Sequence, residues 1–318
     1  MGRRPHQGQY GAMTERTEIG RRALLAGLGA SAIAAGAPKA VAAERLTKVI
    51  PSSGEMVPAI GMGSWLTFDV DADRAARTQR TEVLRAFFDG GGAVIDSSPM
   101  YGTSQEVIGD ALSRLAHSSR TFAADKVWTP RGEDGPDQIE RSRERWGVDR
   151  FDLLQVHNLV DWRRHLETLF EMKDAGALKY VGVTTYAGLR HGEMEEIMRS
   201  EPIDFVQLTY NILDREAEER LLPLAQEKNI AVIANRPFRE GALFPIVESR
   251  KLPAIAEAIG ASSWAQFMLK FIISHPALTV AIPATRRVDH MQENIAVLSG
   301  ALPDADQRAA MIKAIEAL

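Results

Sequence analysis

The chain has 318 residues, with 38 Lys and Arg against 42 Asp and Glu for a formal net charge of -4, and 45 % of it is hydrophobic. Such a balance belongs to a globular protein; it excludes a disordered tail, a collagen-like chain and a multi-span membrane protein, and offers no basic excess to neutralise nucleic-acid phosphates. Cysteine is absent, which excludes disulfides, thiolate metal sites and a cysteine nucleophile.

In chain order, the first segment does not read as part of the fold. Arg21 and Arg22 precede an apolar, small-residue run over 23–37, then come Pro38, Lys39 and the stretch Ala40-Val41-Ala42-Ala43. A basic pair, an apolar stretch too short to span a bilayer and an Ala-x-Ala site together make a secretory signal, and adjacent arginines point to the twin-arginine route. That route carries folded proteins, often with a cofactor already bound. The expected organisation is a twin-arginine-type signal peptide over 1–43 and one domain over 44–318, with the export machinery as partner of the N-terminus. A periplasmic location and no stable membrane span after cleavage follow, and Met13 is a second candidate start. Residues 1–43 hold six basic and two acidic residues, so the remaining 275 carry a charge of -8.

Beyond them, short apolar runs alternate with amphipathic stretches. Strands are predicted over 60–65, 93–97, 121–128, 152–157, 180–185, 205–210, 231–235 and 278–283. Helical spacing falls over 81–89, 105–115, 138–146, 166–175, 194–199, 221–228, 264–273 and 290–298, with a terminal helix over 302–318. Eight strands alternating with helices imply a parallel sheet, and in a single domain of this length its natural form is a closed (β/α)8 barrel. An open doubly wound sheet is the runner-up, but it calls for a glycine fingerprint after the first strand, and Gly61-Met62-Gly63 continues into Ser64-Trp65-Leu66 instead. The segment 46–58 reads as a small hairpin over the barrel bottom, turning at Ser53-Gly54, and the loops after the strands read as short, giving an open pocket.

In such a barrel the chemistry sits where strands end. Asp96 closes the second strand, Lys126 lies near the end of the third, His157 ends the fourth, and Tyr101 follows Asp96 by five residues. Singly, each has an ordinary reading as a cap, a packing residue or a surface residue. Their convergence on one end of adjacent strands points to a site. No His/Asp/Glu cluster has the spacing of metal ligands, so no metal is expected.

These residues carry a resemblance. The run Asp96-Ser97-Ser98-Pro99-Met100-Tyr101-Gly102 with Glu106, the strand Lys126-Val127-Trp128 and the run ending Leu154-Gln155-Val156-His157 resemble the aldo-keto reductase signatures. Gly182-Val183-Thr184-Thr185, Gln207-Leu208-Thr209-Tyr210-Asn211 and Ile282-Pro283 followed by Glu293-Asn294 match in order and spacing, so the likeness spans about 46–318. It implies an NADP(H)-dependent oxidoreductase acting on aldehydes, ketones or the corresponding alcohols. Tyr101 is then the general acid, Lys126 the cation expected to lower the phenol's pKa, Asp96 the holder of Lys126, and His157 the donor to the carbonyl oxygen. The hydride must come from a nicotinamide, since these side chains cannot deliver one. Gln207, Thr184 and Thr185 are expected at the carboxamide, Asn235, Arg236 and Phe238 beside the nicotinamide, Thr285 and Arg286 at the adenosine phosphate, and Glu293 and Asn294 at the adenine.

Three positions depart from the family pattern: Thr184-Thr185 stands for Ser-Asn, Asn235 for a stacking aromatic, and Ala284 for a phosphate-binding Lys. Trp65, Met100 and Trp128 are candidates to wall an apolar substrate pocket. His165, His191, His275 and His290 read as surface or cap residues, and Asp125 as structural, pointing away from the barrel axis. The alternative function is a non-catalytic nicotinamide-binding or redox-sensing barrel that binds a protein partner; the altered cradle favours it, the intact Asp96, Tyr101, Lys126 and His157 oppose it.

Overall fold

The computed structural model describes residues 45–318, so the signal segment expected over 1–43 lies outside the described residues. Strands β1 (Thr47–Val49) and β2 (Met56–Pro58) pair antiparallel, Lys48 opposite Val57. Gly54 turns this hairpin at φ 78°, a left-handed backbone that costs glycine no Cβ clash.

Eight parallel strands follow in chain order: β3 (Met62–Gly63), β4 (Val94–Asp96), β5 (Phe122–Val127), β6 (Leu153–His157), β7 (Tyr180–Thr184), β8 (Phe205–Thr209), β9 (Ala231–Asn235) and β10 (Val280–Ala281). The sheet closes where Ile60 bridges Ala281: Gly61 N–H donates to Ala281 O and Ala281 N–H to Ala59 O, both at 2.9 Å. Helices wrap this barrel: α1 (Arg74–Asp89), α2 (Ser104–Leu115), α3 (Gly135–Trp146), α4 (Trp162–Asp174), α5 (His191–Ser200) and α6 (Leu221–Lys228) each follow one strand. After β9 come α7 (Phe244–Val247), α8 (Ile255–Ala258) and α9 (Trp264–Ile273); α10 (Val288–Ile295) follows β10 and α11 (Ala305–Glu316) is additional. This is the (β/α)8 barrel with N-terminal hairpin and extra C-terminal helix.

Strand period two decides what fills the barrel. At the N-terminal end the inward residues are apolar: Val94, Phe122, Leu153, Tyr180, Phe205, Ala231 and Val280 pack with Ile50 and Val57 of the hairpin. Glu55 ties the hairpin down, its Oε2 accepting from the Tyr180 hydroxyl and the Lys179 ammonium, both at 2.6 Å. Two to four residues further along the same inward faces stand Asp96, Lys126, Gln155, His157, Thr184, Gln207 and Asn235. Strand register sets several of them side by side, Lys126 against Gln155, His157 against Thr184, and Thr184 against Gln207. Glycine at 182 is required by this packing, because a Cβ there would meet Phe205 O at 2.8 Å.

Three expectations are corrected. The first barrel strand is only Met62–Gly63, since Ser64 turns its hydroxyl onto Asp96 O (2.9 Å) and Leu66 takes φ 58°, so Trp65 lies in a turn. Helix α1 begins at Arg74, well before residue 81, because the Asp73 carboxylate caps the N–H groups of Ala75 and Ala76 at 2.9 and 3.0 Å. The loop after β9 is long: residues 236–263 carry α7 and α8 and are anchored by buried Phe238, Leu243, Val247, Ala256 and Ile259.

Candidate active site

The polar upper layer of the barrel is organised around one carboxylate. Asp96, at the end of β4, accepts from the Lys126 ammonium at 2.5 Å through Oδ2, and from the Gln207 and Gln155 amides at 2.8 and 3.1 Å through Oδ1. Lys126, fully buried, also donates to Ser97 O at 2.8 Å, and its Nζ lies 5.1 Å from the centroid of the Tyr101 ring. Tyr101 is set by a turn in which its N–H donates to Ser98 O at 3.0 Å. It is flanked by Trp65, edge-on with centroids 4.9 Å apart, and by His157, 5.6 Å away and nearly perpendicular. The four residues read as catalytic therefore converge.

They converge beneath a cavity of about 350 Å³ at the strand C-termini. Asp96, Tyr101 and His157 contribute to its floor, Thr184, Thr185, Gln207, Asn235 and Arg236 to a polar wall, and Trp65, Leu66, Met100, Tyr186, Phe238 and Phe244 to apolar ones. The polar wall is already knit together. Asn235 donates to Thr185 O at 2.8 Å and accepts from the Thr209 hydroxyl at 2.7 Å, while the Thr184 hydroxyl donates to Gln207 Oε1 at 3.3 Å. Arg236 is different: its Nη1 pairs with Glu240 at 2.5 Å, but its Nε is buried without a partner.

The electrostatics follow from burial and charge. Burial works to lower the Lys126 pKa, but Asp96, followed by Tyr101 and Asp125, outweighs it and holds the ammonium above its ordinary value. Burial, with Lys126 adding to it, pushes His157 well below the usual imidazole range, so the ring is neutral at pH 7. Tyr101 departs from the sequence reading: burial raises the phenol, Lys126 offsets only part of that, and the net shift is upward.

Other expected residues fall outside the cavity. Trp128 does not line it, because strand β5 stops at Val127 and the Gln138 side chain of α3 clamps the Trp128 main chain, accepting from N–H at 2.6 Å and donating to O at 2.7 Å. Thr285 is buried and accepts from Arg287 N–H at 3.1 Å at the start of α10, while Arg286 is exposed two residues beyond Ala284 of the cavity wall. Glu293 and Asn294 lie on α10, half-buried and buried respectively, and line no part of the cavity. His165 is not a surface residue: it is buried in α4 with Nε2 2.9 Å from Thr129 O. Asp125 points outward as expected, its Oδ2 accepting from Gln105 at 2.6 Å and from the Trp146 indole at 3.0 Å.

Sequence reasoning passed over Gln155, Ser98 and Tyr186. Gln155 carried a signal, since it precedes His157 by one strand period. Ser98 pairs with His157 across 59 positions, and Tyr186 lies just past a strand end, where spacing gives no orientation.

The profile of the Aldo/keto reductase family matches residues 59–316. Methylglyoxal reductase YeaE of Escherichia coli is 28 % identical over 271 residues, covering 81 % of this chain and 92 % of the relative. An aldo/keto reductase from Klebsiella pneumoniae in complex with NADP and acetate superposes with a TM-score of 0.72 at 26 % identity, covering 86 % of this chain and 96 % of that one. An aldo-keto reductase from the same organism in complex with NADPH gives 0.71 at 26 % identity, with 85 % and 95 % covered.

Proposed function

This chain belongs to the aldo/keto reductase family, and from that premise we propose that it is an NADP(H)-dependent oxidoreductase reducing aldehydes or ketones to alcohols, or running the reverse, with Tyr101 as general acid and base. The observation that carries the reading is the buried Lys126 ammonium, clamped by Asp96 at 2.5 Å and lying 5.1 Å from the Tyr101 ring, with Tyr101 rather than Lys126 exposed to the cavity.

The cavity lining suits the nicotinamide end of a dinucleotide. Thr184, Gln207 and Asn235 offer hydroxyl and amide groups suited to a carboxamide, and Arg236 keeps a buried, unpartnered Nε–H suited to a phosphate oxygen. The Klebsiella relatives, in complex with NADP and NADPH, support the choice of nucleotide.

When bound, the nicotinamide supplies a hydride to the carbonyl carbon. Tyr101 gives its phenolic proton to the carbonyl oxygen, completing the alcohol. Its raised pKa keeps it protonated at neutral pH, the form an acid needs. Lys126 stabilises the phenolate left behind, and Asp96 keeps Lys126 charged. Neutral His157 directs an N–H at the oxygen on which negative charge develops. Trp65, Leu66, Met100, Tyr186 and Phe244 favour carbonyls with small apolar substituents over charged ones.

Replacing Tyr101 with Phe tests the reading against that of a non-catalytic nicotinamide-binding barrel. NADPH oxidation with a panel of aldehydes should fall at least about 100-fold, while NADPH binding, followed by fluorescence quenching, stays unchanged. Unchanged turnover would sink the assignment. Export by the twin-arginine route and a periplasmic location belong to the same proposal, supported by Arg21-Arg22 and the apolar run after them. Changing both arginines to Lys should retain the protein in the cytoplasmic fraction, and export unaffected by the change refutes that route.

A further inference from the structure

We propose that Ser98 is a positioning residue for carbonyl reduction: it fixes His157 as the neutral tautomer that carries its proton on Nε2, and so turns the imidazole into a donor facing the cavity. The proposal rests on the reductase reading and adds to it a residue outside the four that converge at the cavity floor.

The two side chains are 59 residues apart, yet Ser98 Oγ lies 2.8 Å from His157 Nδ1, and both residues are buried. A neutral imidazole has one nitrogen that donates and one that accepts, so the partner of one nitrogen decides the role of the other. A serine hydroxyl has one proton to give. Here its oxygen already accepts the Met100 N–H at 3.2 Å, and among the described residues His157 Nδ1 is the only acceptor within hydrogen-bond reach of that proton. Were Nδ1 protonated, the imidazole would donate to Ser98 and the serine proton would be buried with nowhere to go. With Nδ1 accepting, both atoms of the Ser98–His157 contact are satisfied. Nε2 then bears the proton, with no partner of its own among the described residues, on a ring that lines the cavity.

The charged and titratable groups near the ring come from neighbouring elements: Lys126 on β5, Asp96 on β4 and Tyr101 in the loop after β4. The burial of the ring and, after it, the positive charge of Lys126 both oppose an imidazolium, which leaves the neutral tautomers as the choice to be made. The same turn carries Ser98 and Tyr101, since Tyr101 N–H donates to Ser98 O at 3.0 Å. One short segment therefore sets both groups that meet the carbonyl oxygen.

The test is two-bond proton–nitrogen correlation NMR on protein labelled with 15N-histidine, with the His157 signals assigned by their loss in His157→Gln. Wild type should show the Nε2–H pattern, and an Nδ1–H pattern would overturn the proposal. In Ser98→Ala the pattern should become a mixture of tautomers. The kcat for aldehyde reduction should drop about tenfold, less than the loss of a whole oxyanion donor, with KM and NADPH affinity within about twofold. A Ser98→Ala enzyme that keeps wild-type kcat and a single Nε2–H tautomer also overturns it. The wild-type spectrum is read without substrate, so a protein that shows the Nε2–H pattern but reduces no carbonyl refutes the reductase reading and leaves the tautomer assignment standing.

Discussion

Replacing Asp96 with Asn removes one charge and leaves the shape of the side chain nearly intact, so its consequences can be worked from the hydrogen bonds alone. Asp96 Oδ2 meets the Lys126 ammonium at 2.5 Å, while Oδ1 receives two amides, Gln207 at 2.8 Å and Gln155 at 3.1 Å. An asparagine cannot satisfy both sides at once. With its NH2 toward Lys126 it opposes an ammonium, and with its NH2 on the other side it faces two amide donors. Breaking a buried pair from one side leaves an uncompensated charge and costs about 3–5 kcal/mol, a large part of the roughly 5–15 kcal/mol that holds a domain together. In the native protein Lys126 has a raised pKa, so its contribution is fully present below its unfolded value and is lost only as pH climbs through the folded one. In Asp96→Asn burial acts with much less opposition and depresses Lys126, so the variant loses stability as pH falls below the unfolded lysine value. The stability gap to wild type should therefore be wide at pH 7 and narrower at pH 9.5. Urea unfolding at both pH values measures it, and kcat should fall with it as Tyr101 loses its cation. A variant within 1 kcal/mol of wild type at pH 7 (about the worth of one ordinary hydrogen bond), or a gap that does not change with pH, would refute the reasoning.

Asp125 supplies the opposite sign. Burial raises its carboxyl pKa to about 7, so the folded state resists ionisation and wild type loses stability as pH rises from the unfolded carboxylate value toward 7. Asp125→Asn keeps an acceptor for Gln105 and Trp146 and should be more stable than wild type at pH 8 by about 2–4 kcal/mol, with the gain shrinking toward pH 4; a variant less stable at pH 8 contradicts this. Gly182→Ala should destabilise by about 2 kcal/mol in chemical denaturation, because the new methyl meets Phe205 O at 2.8 Å. Trp65→Ala should raise KM for aromatic aldehydes several-fold, since Trp65 packs edge-on against Tyr101 at 4.9 Å, whereas Trp128→Ala should leave KM within about twofold, and the reverse order would return Trp128 to the pocket.

Strand periodicity made most of the barrel legible. The strand expected over 231–235 is found as Ala231–Asn235, and the one over 152–157 as Leu153–His157. The elements that differ are decided by hydrogen bonds that spacing does not encode. A hydroxyl of Ser64 reaching Asp96 O ends β3 early, and an Asp73 cap starts α1 in a stretch whose first turns, Arg74-Ala75-Ala76-Arg77, show no apolar stripe. His165 is a different case, because its signal was present: Trp162, His165, Leu166 and Leu169 share one face of α4 and are all buried.

The four positions read as catalytic were legible because each ends a strand or follows one closely, and period two sends Asp96, Lys126 and His157 into the same space. The same rule applied to Trp128 fails, since alternation holds only while the strand continues and β5 stops one residue sooner. The sign of the Tyr101 shift was out of reach for a related reason: it is a contest between burial and the Lys126 charge, and the depth of burial exists only in the folded barrel. Gln207 shows what this layering implies for binding. Its NH2 group is committed to Asp96 and thus to Lys126, while Oε1 holds only longer contacts at 3.3 and 3.5 Å to Thr184 and Asn235. A carboxamide N–H can therefore take Oε1 at the expense of those weak bonds and leave the Asp96 clamp whole. Under the proposed function, cofactor binding and proton transfer would share this one side chain but use opposite ends of it.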